Sequence, residues 1–416
     1  MDPKQVLGAF LTLTMFTMLG NMIKKDHFDT NQVSLQDISV VQFDASKLME
    51  QSLVALPRFT KAPWKDIGKE LKPCWTKQGF QAKHSKGFIV FSLTNGPEYH
   101  ISQIANAVVV ARHLGAVLVL PDIRGDNIGD TRYFQEIYDL EKFVKSIDGV
   151  VEVTKSYPDE LMAETLDVVR VPNRVTENHI GEHIEPIFRR KGSLRLATYF
   201  PTMNMKKTKE NKDLDSLVCL ATYETLKLQP EIHEVVDSLV ERLRTLSRKS
   251  DGQFIAVDLR IEMLEKKGCQ GNGDSGKKRC YNAQDIGIFL RNIGFDRDTT
   301  IYLTQSRWHK SLNSLKKIFP KTYTKEGIMP VDKKGKYLNS GSSELEKALD
   351  FSICSQSDVF VPAISGLFYA NVVGKRIESG RTQILVPGKV TSSSSVADFT
   401  SPYVSKKNHM AYSCFC

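Results

Sequence analysis

Residues 87–121 read GFIVFSLTNGPEYHISQIANAVVVARHLGAVLVLP. Phe88 to Leu93 is a short apolar run, and Asn95-Gly96-Pro97 forms a polar turn behind it. Ile101, Ile104, Ala105, Val108 and Val109 then recur at helical spacing. Ala116 to Leu120 is a second apolar run, stopped by Pro121. Strand, turn, helix and strand within about 35 residues make one βαβ unit. Strands apolar on both faces suit a parallel sheet covered by helices. Ligands of such sheets sit beyond the carboxyl ends of the strands. The loop from Thr94 to His100, with Asn95, Gly96, Glu98 and His100, is therefore the first place to expect chemistry.

Outward from this unit, the chain has the length for two domains: 416 residues, 41% hydrophobic and 25% charged, an ordinary globular balance. Its formal net charge is +9. The basic residues fall in small groups, such as Arg189-Arg190-Lys191 and Lys277-Lys278-Arg279, not in runs interleaved with aromatics. That pattern fits a solvated surface or a phosphate-bearing small substrate, and argues against a nucleic-acid partner. Seven cysteines are too few for a disulfide scaffold.

Toward the N-terminus, Val6 to Ile23 is an uncharged apolar run flanked by Lys4 and Lys24-Lys25. It is at the short end for a membrane span, and no small-residue cleavage site closes it. An uncleaved anchor in residues 1–26 is expected, in the type II sense, with the remainder facing a lumen. Residues 27–82 are polar and Pro-interrupted and read as a stem. Trp64, Cys74 and Trp75 mark where its end packs on the folded part.

Residues 83–250 are expected to form a first α/β domain and residues 251–390 a second. Tyr133 to Ile147 reads as one helix, and Thr225 to Arg248 as a basic amphipathic helix before the boundary at Ser250-Asp251-Gly252. In the second domain FIAVDL (254–259), TIYLT (300–304) and VFVP (359–362) are strands with helices between them. Residues 391–416 read as a flexible tail.

Several motifs weigh little. Gly271 to Gly276 matches G-x-G-x-x-G by letters but lacks the strand before it and the helix after it. A loop closed by a Cys269–Cys280 disulfide is the better reading in a lumenal domain. Asp213-Leu-Asp215 and Asp296-Arg-Asp298 fit helix caps and turns better than metal sites. There is no zinc-ligand spacing, nucleophile elbow or Walker loop, so no metal site is expected. Two stretches stand out. Asp258-Leu259-Arg260-Ile261-Glu262 leaves the carboxyl end of a strand, where the Arg260 fork can meet a phosphate and Glu262 can act as acid or base or pair with Arg260. Asp358 to Phe368 runs from strand through loop to helix, and Ser365 with the Gly366 amide makes either an anion site or a capped turn.

Taken in order, the N-terminal anchor, GFIVFSL, VVVARHLGAVLVLP, FIAVDLRIE, IYLTQ and SDVFVPAISGLF resemble the plant O-fucosyltransferase-like family. The N-terminal block and the stretch Ile353 to Pro387 resemble its mannan-synthesis-related group. The resemblance implies a GT-B-like fold, two Rossmann-like domains facing a cleft, behind a Golgi type II anchor. It implies inverting transfer from a nucleotide sugar, GDP-linked, without a metal or other cofactor, to a polysaccharide acceptor in cell-wall mannan synthesis. Arg260 then corresponds to the arginine on the donor pyrophosphate, Asp358 to an acidic residue near the nucleoside, and Ser365 and Gly366 to the phosphate loop. The family's first loop reads G-G-L-N-Q with an arginine two residues on, and its later motif reads H-x-R. Here Glu98 stands for the Asn, Ile101 for the Arg and Asp258 for the His. Glu98, Asp258 and Glu262 become candidates for the base that activates the acceptor hydroxyl, Glu98 first because its loop faces the cleft. The same departures motivate a second expectation, a non-catalytic partner of a polysaccharide synthase in the same membrane.

Overall fold

The computed structural model describes residues 64, 68–75, 87–125, 129–162, 165–207, 212–266, 281–338 and 343–416. The anchor, most of the stem, the glycine-rich loop and the Cys269–Cys280 pairing lie outside the described residues. Among the described residues no helix is long and apolar enough to cross a membrane.

The βαβ unit forms as its sequence requires. Strand β1 (Phe88–Thr94) leads into helix α1 (Pro97–Leu114), which starts with proline at its first turn and stops at Gly115 in the left-handed conformation, φ 65°. Next come β2 (Val117–Val119), β3 (Asp122–Arg124), β4 (Thr131–Arg132), helix α2 (Leu140–Ile147), β5 (Val153–Thr154), β6 (Val168–Pro172) and β7 (Ser193–Tyr199). β1 pairs in parallel with β2, β3 and β7, β6 lies beyond β7, and only the β3–β4 pair is antiparallel. The expected helix Tyr133–Ile147 is two pieces, a 3-10 turn at Phe134–Glu136 and then α2. The Asp139 carboxylate accepts from the Lys142 amide and caps a fresh helix there, which divides the segment.

Helices α3 (Lys212–Tyr223) and α4 (Pro230–Leu246) lead to the second sheet. Its strands are β8 (Phe254–Asp258), β9 (Thr300–Leu303), β10 (Thr322–Thr324) and β11 (Val359–Pro362), in the order β10-β9-β8-β11, all parallel. Between them lie α5 (Ala283–Asn292), capped by Asn282, and α6 (Ser343–Gln356); α7 (Leu367–Glu378) follows β11. Every residue of β8 and β11 is buried, as two-sided helix cover demands.

One core cluster takes side chains from both halves, because α6 and α7 pack against α1 as well as against their own sheet. The C-terminal segment is no flexible tail. Phe399, Tyr403, Met410 and Phe415 are buried, Cys414 is bonded to Cys219, and Cys416 is bonded to Cys74. The serine-rich stretch suggested solvation, but the aromatics and cysteines after it anchor the chain end. Trp64 packs edge-on against Phe295, and Trp75 against Phe415, so the end of the stem does join the folded body.

Candidate functional site

The carboxyl ends of β1 and β8 and the amino end of α7 meet at one place. Leaving β1, Asn95 takes φ 69° and Gly96 φ 108°, left-handed values that Asn and Gly tolerate. The Gln103 side chain receives the Thr94 amide at 3.0 Å and donates to the Thr94 hydroxyl at 2.8 Å, locking the turn to its own helix. The second half clasps the loop from the other side. Lys347 of α6 donates to the Asn95 carbonyl at 3.4 Å, and a Cβ on Gly96 would come within 2.7 Å of its chain. Asn371 of α7 donates to the Glu98 carbonyl at 3.0 Å.

Glu98 is 4% exposed, and its Oε2 has no hydrogen-bond partner. Burial pushes its carboxyl up to about 6, against the opposing pull of Arg260 and Lys347. Arg260 leaves the end of β8. Its Nε donates to Asp258 Oδ1 at 3.1 Å and its Nη2 to Oδ2 at 3.4 Å. Burial works against the Arg260 charge, but Asp258 and then Glu98 outweigh it and hold the guanidinium above its usual range. The Thr304 hydroxyl donates to Asp258 Oδ1 at 3.0 Å, so Asp258 is a braced, buried carboxylate.

The Arg260 guanidinium also lies 4.8 Å from the centre of the Phe368 ring, in the first turn of α7. That turn has no side-chain cap, and a Cβ on Gly366 would meet nothing within 4 Å. A charged fork and a helix N-terminus without a side-chain cap thus converge beside open space at Gly366, a combination that favours an anion.

Three expected site residues lie differently. Asp358 sits at the amino end of β11, while Asp258 is at the carboxyl end of the parallel β8. It accepts from the Phe254 amide at 2.9 Å and pairs with Arg244 at 3.2 Å, so it staples the far edge of the sheet. His100 is fully buried, shares a 2.7 Å hydrogen bond between Nδ1 and the Tyr138 hydroxyl, and is driven down to about 3 by burial. It is a neutral core histidine and not part of the loop's open face. Glu262 is exposed and accepts from Gln305 Nε2 at 3.0 Å; the partner of Arg260 is Asp258.

Sequence reasoning missed Lys347 and Asn371, which reach the loop from 252 and 273 residues away along the chain. It also missed a buried network whose Asp350 feels the Arg260 charge. There the Tyr302 hydroxyl donates to Asp350 at 2.5 Å and Lys325 pairs with the other oxygen. Burial pushes Asp350 up to about 6 despite Lys325. No local pattern announces these residues, since each reads as the polar face of a helix or strand end. Among the described residues no three or more His, Cys, Asp or Glu side chains are grouped to hold a metal ion.

The fold is α/β, with two mainly parallel sheets that bring an arginine, a buried glutamate and a helix N-terminus without a side-chain cap together. Residues 96–378 match the GDP-fucose protein O-fucosyltransferase family, and the chain belongs to that family. Over 419 residues it is 56% identical to Protein MANNAN SYNTHESIS-RELATED 1 of Arabidopsis thaliana, covering 100% of this chain and 99% of that one. It is 48% identical over 421 residues to Protein MANNAN SYNTHESIS-RELATED of Trigonella foenum-graecum, with the same coverage. A crystal structure of POFUT1 in complex with GDP aligns with 73% of this chain and 99% of its own, at 13% identity and a TM-score of 0.43.

Proposed function

We propose that this protein is a glycosyltransferase of plant cell-wall mannan synthesis, with a GT-B-like layout. It would take a GDP-linked sugar and transfer it with inversion to a polysaccharide acceptor, without a metal. The observation that carries the reading is the meeting of Arg260 with the α7 N-terminus, with buried Glu98 near enough for its charge and that of Arg260 to act on each other. Arg260 and the Ser365-Gly366 turn would hold the donor diphosphate and take up the charge that develops as it leaves. Glu98, with a carboxyl near 6, is poised to receive a proton from the acceptor hydroxyl at neutral pH. The apolar Val6–Ile23 run would anchor the protein in the Golgi membrane, with the described domains in the lumen.

The test is a panel of GDP-sugars with the purified full chain, scoring nucleotide release and transfer to mannan oligosaccharides. Transfer that disappears in Arg260→Ala supports the assignment; full activity in that variant overturns it. A second reading has its own observation: Glu98, the base of the first reading, is buried at 4% exposure. On that reading the fold is a non-catalytic partner of a polysaccharide synthase. Calorimetry without any nucleotide-sugar heat, together with co-purification of a synthase, would favour it.

A further inference from the structure

A pocket lies between the first sheet's helices and the C-terminal segment, and Arg260 is not among its lining residues. Its walls come from α1, the turn after β6, α3 and the C-terminal segment. Its volume is about 60 Å³, room for roughly four or five waters. Eight polar residues line it: Ser102, Asn106, Asn173, Arg174, Lys207, Asp215, Thr222 and Ser413. Asn106 is fully engaged, donating to the Pro172 carbonyl at 2.6 Å and accepting from the Val175 amide at 3.2 Å. Asn173 is not. It is 3% exposed, and its Nδ2 donates to the Thr202 carbonyl at 3.0 Å, which fixes the amide's orientation. Its Oδ1 is buried with no hydrogen-bond partner.

A buried acceptor is rarely left unmet in a folded protein, so an unmet one lining a cavity points to a ligand that donates. Asp215 adds a carboxylate, lifted by burial and held down in part by Arg174. Arg174 itself donates to the Lys206 carbonyl at 2.8 Å. An anion could meet Arg174 or Lys207, but it would bring only acceptors to Asn173 and would face the Asp215 charge. A hydroxyl-bearing neutral molecule meets both acceptors, and Ile101, Val109 and Val218 offer it apolar walls. Ile101 and Ser102 stand three and four residues after Glu98, on the same face of α1, about one turn or 5.4 Å along it.

We infer that this pocket is a subsite for one neutral hexose unit of the polysaccharide acceptor. The inference rests on the transferase reading for the word acceptor; the binding of a neutral glycan does not depend on it. The pocket takes the edge of one pyranose ring, with its hydroxyls on Asn173 Oδ1 and Asp215. The chain then continues along α1 toward Glu98.

The experiment is calorimetric titration of the full chain with β-1,4-mannotetraose, with inorganic phosphate and with GDP. Two variants alter the pocket from different atoms: Asp215→Leu removes the acceptor, and Val218→Phe fills the space. Each is accepted only if it melts as the parent does and binds GDP as the parent does. At least a tenfold loss of mannotetraose affinity in both, with GDP unchanged, is the expected result. Undiminished mannotetraose binding in the folded variants overturns the inference, and so does a parent that binds no neutral oligosaccharide or binds phosphate in competition with it. Arg260→Ala separates the two readings. If that variant shows the donor assignment to be wrong while mannotetraose still binds through Asp215, the subsite stands without the transferase.

Discussion

Replacing Glu98 by Gln keeps the side chain's shape and removes its charge. Burial raises the Glu98 carboxyl from 4.5 to about 6. A rise of about 1.5 corresponds to about 2 kcal/mol at 1.36 kcal/mol per pH unit. Between those values the folded protein keeps a proton that the unfolded chain has released. Wild-type stability therefore falls as pH rises through that window, and the full deficit is present above about 6. Gln carries no such proton. Asp350 is shifted in the same direction, but it is present in both proteins and cancels in the difference. The stability of Glu98→Gln relative to wild type should improve by about 2 kcal/mol between about pH 4 and pH 7.5. Urea denaturation of the two proteins across that range measures it. A difference that stays flat with pH would refute the picture of an ionised carboxylate held in a buried site. The same variant separates stability from chemistry. If Glu98 is the base, transfer should drop by about 10²–10⁴-fold while GDP binding persists. A more stable, less active protein is the joint outcome, and undiminished transfer would remove Glu98 from the mechanism.

Arg376 is fully buried and donates to the carbonyls of Cys354, Ser357, Asp358 and Gln383, closing the end of α6 onto β11. Arg376→Met should cost about 3 kcal/mol or more, because several buried carbonyls lose their donor at once; a denaturation midpoint equal to wild type would contradict this. Cys414→Ser with Cys416→Ser frees the C-terminal segment from Cys219 and Cys74. A loss of about 2–5 kcal/mol is expected, with amide exchange speeding first in residues 399–416; unchanged exchange there would argue that packing alone holds the segment. A diphosphate beside Arg260 adds negative charge near Glu98 and should lift its carboxyl further. GDP binding near pH 6.5 should then take up protons, measured by calorimetry in buffers of different ionisation heat. Zero uptake would place the diphosphate elsewhere.

The alternation of strands and helices was legible because the sheets are parallel apart from the β3–β4 pair, and β2, β8, β9 and β11 are buried throughout. FIAVDL and VFVP announce β8 and β11 without help from the rest of the chain. Arg260 was legible for the same reason, as a charge leaving the carboxyl end of a buried strand. Asp358 was misplaced because a carboxylate one residue before a strand has no local mark of which sheet edge it will occupy. Register decides it: Val359 pairs with Ile255, which seats Asp358 against the Phe254 amide and Arg244 at the amino edge. His100 shows a different limit. Its loop position suggested exposure, but the helix starts at Pro97, so His100 is already in the first turn and points at Tyr138. The C-terminal segment failed on composition. The run of serines at 392–395 says solvent, while the tie is made by two cysteines whose partners lie 195 and 342 residues back.

Asp258 decides how the cleft should be understood. In sequence, a carboxylate two residues from an arginine expected to meet phosphate reads as a repellent. In the fold it is 1% exposed, and its oxygens are taken by Arg260 Nε and Nη2 and by the Thr304 hydroxyl. Its charge is therefore directed inward, where it holds the guanidinium protonated and fixes its plane. None of these contacts uses Nη1 of Arg260, which leaves one edge of the fork for an anion at the α7 N-terminus. Asp258 thus braces Arg260, and its presence weighs little against donor binding. It follows that nucleotide binding cannot by itself distinguish a transferase from a retired fold, because the brace and the helix N-terminus serve either. What distinguishes them is the role of Glu98. Keeping Glu98 as a buried carboxylate destabilises the fold above pH 6. Asp350 bears a like shift inside a structural network, so the shift alone does not make Glu98 a base, and the transfer assay on Glu98→Gln decides between the two.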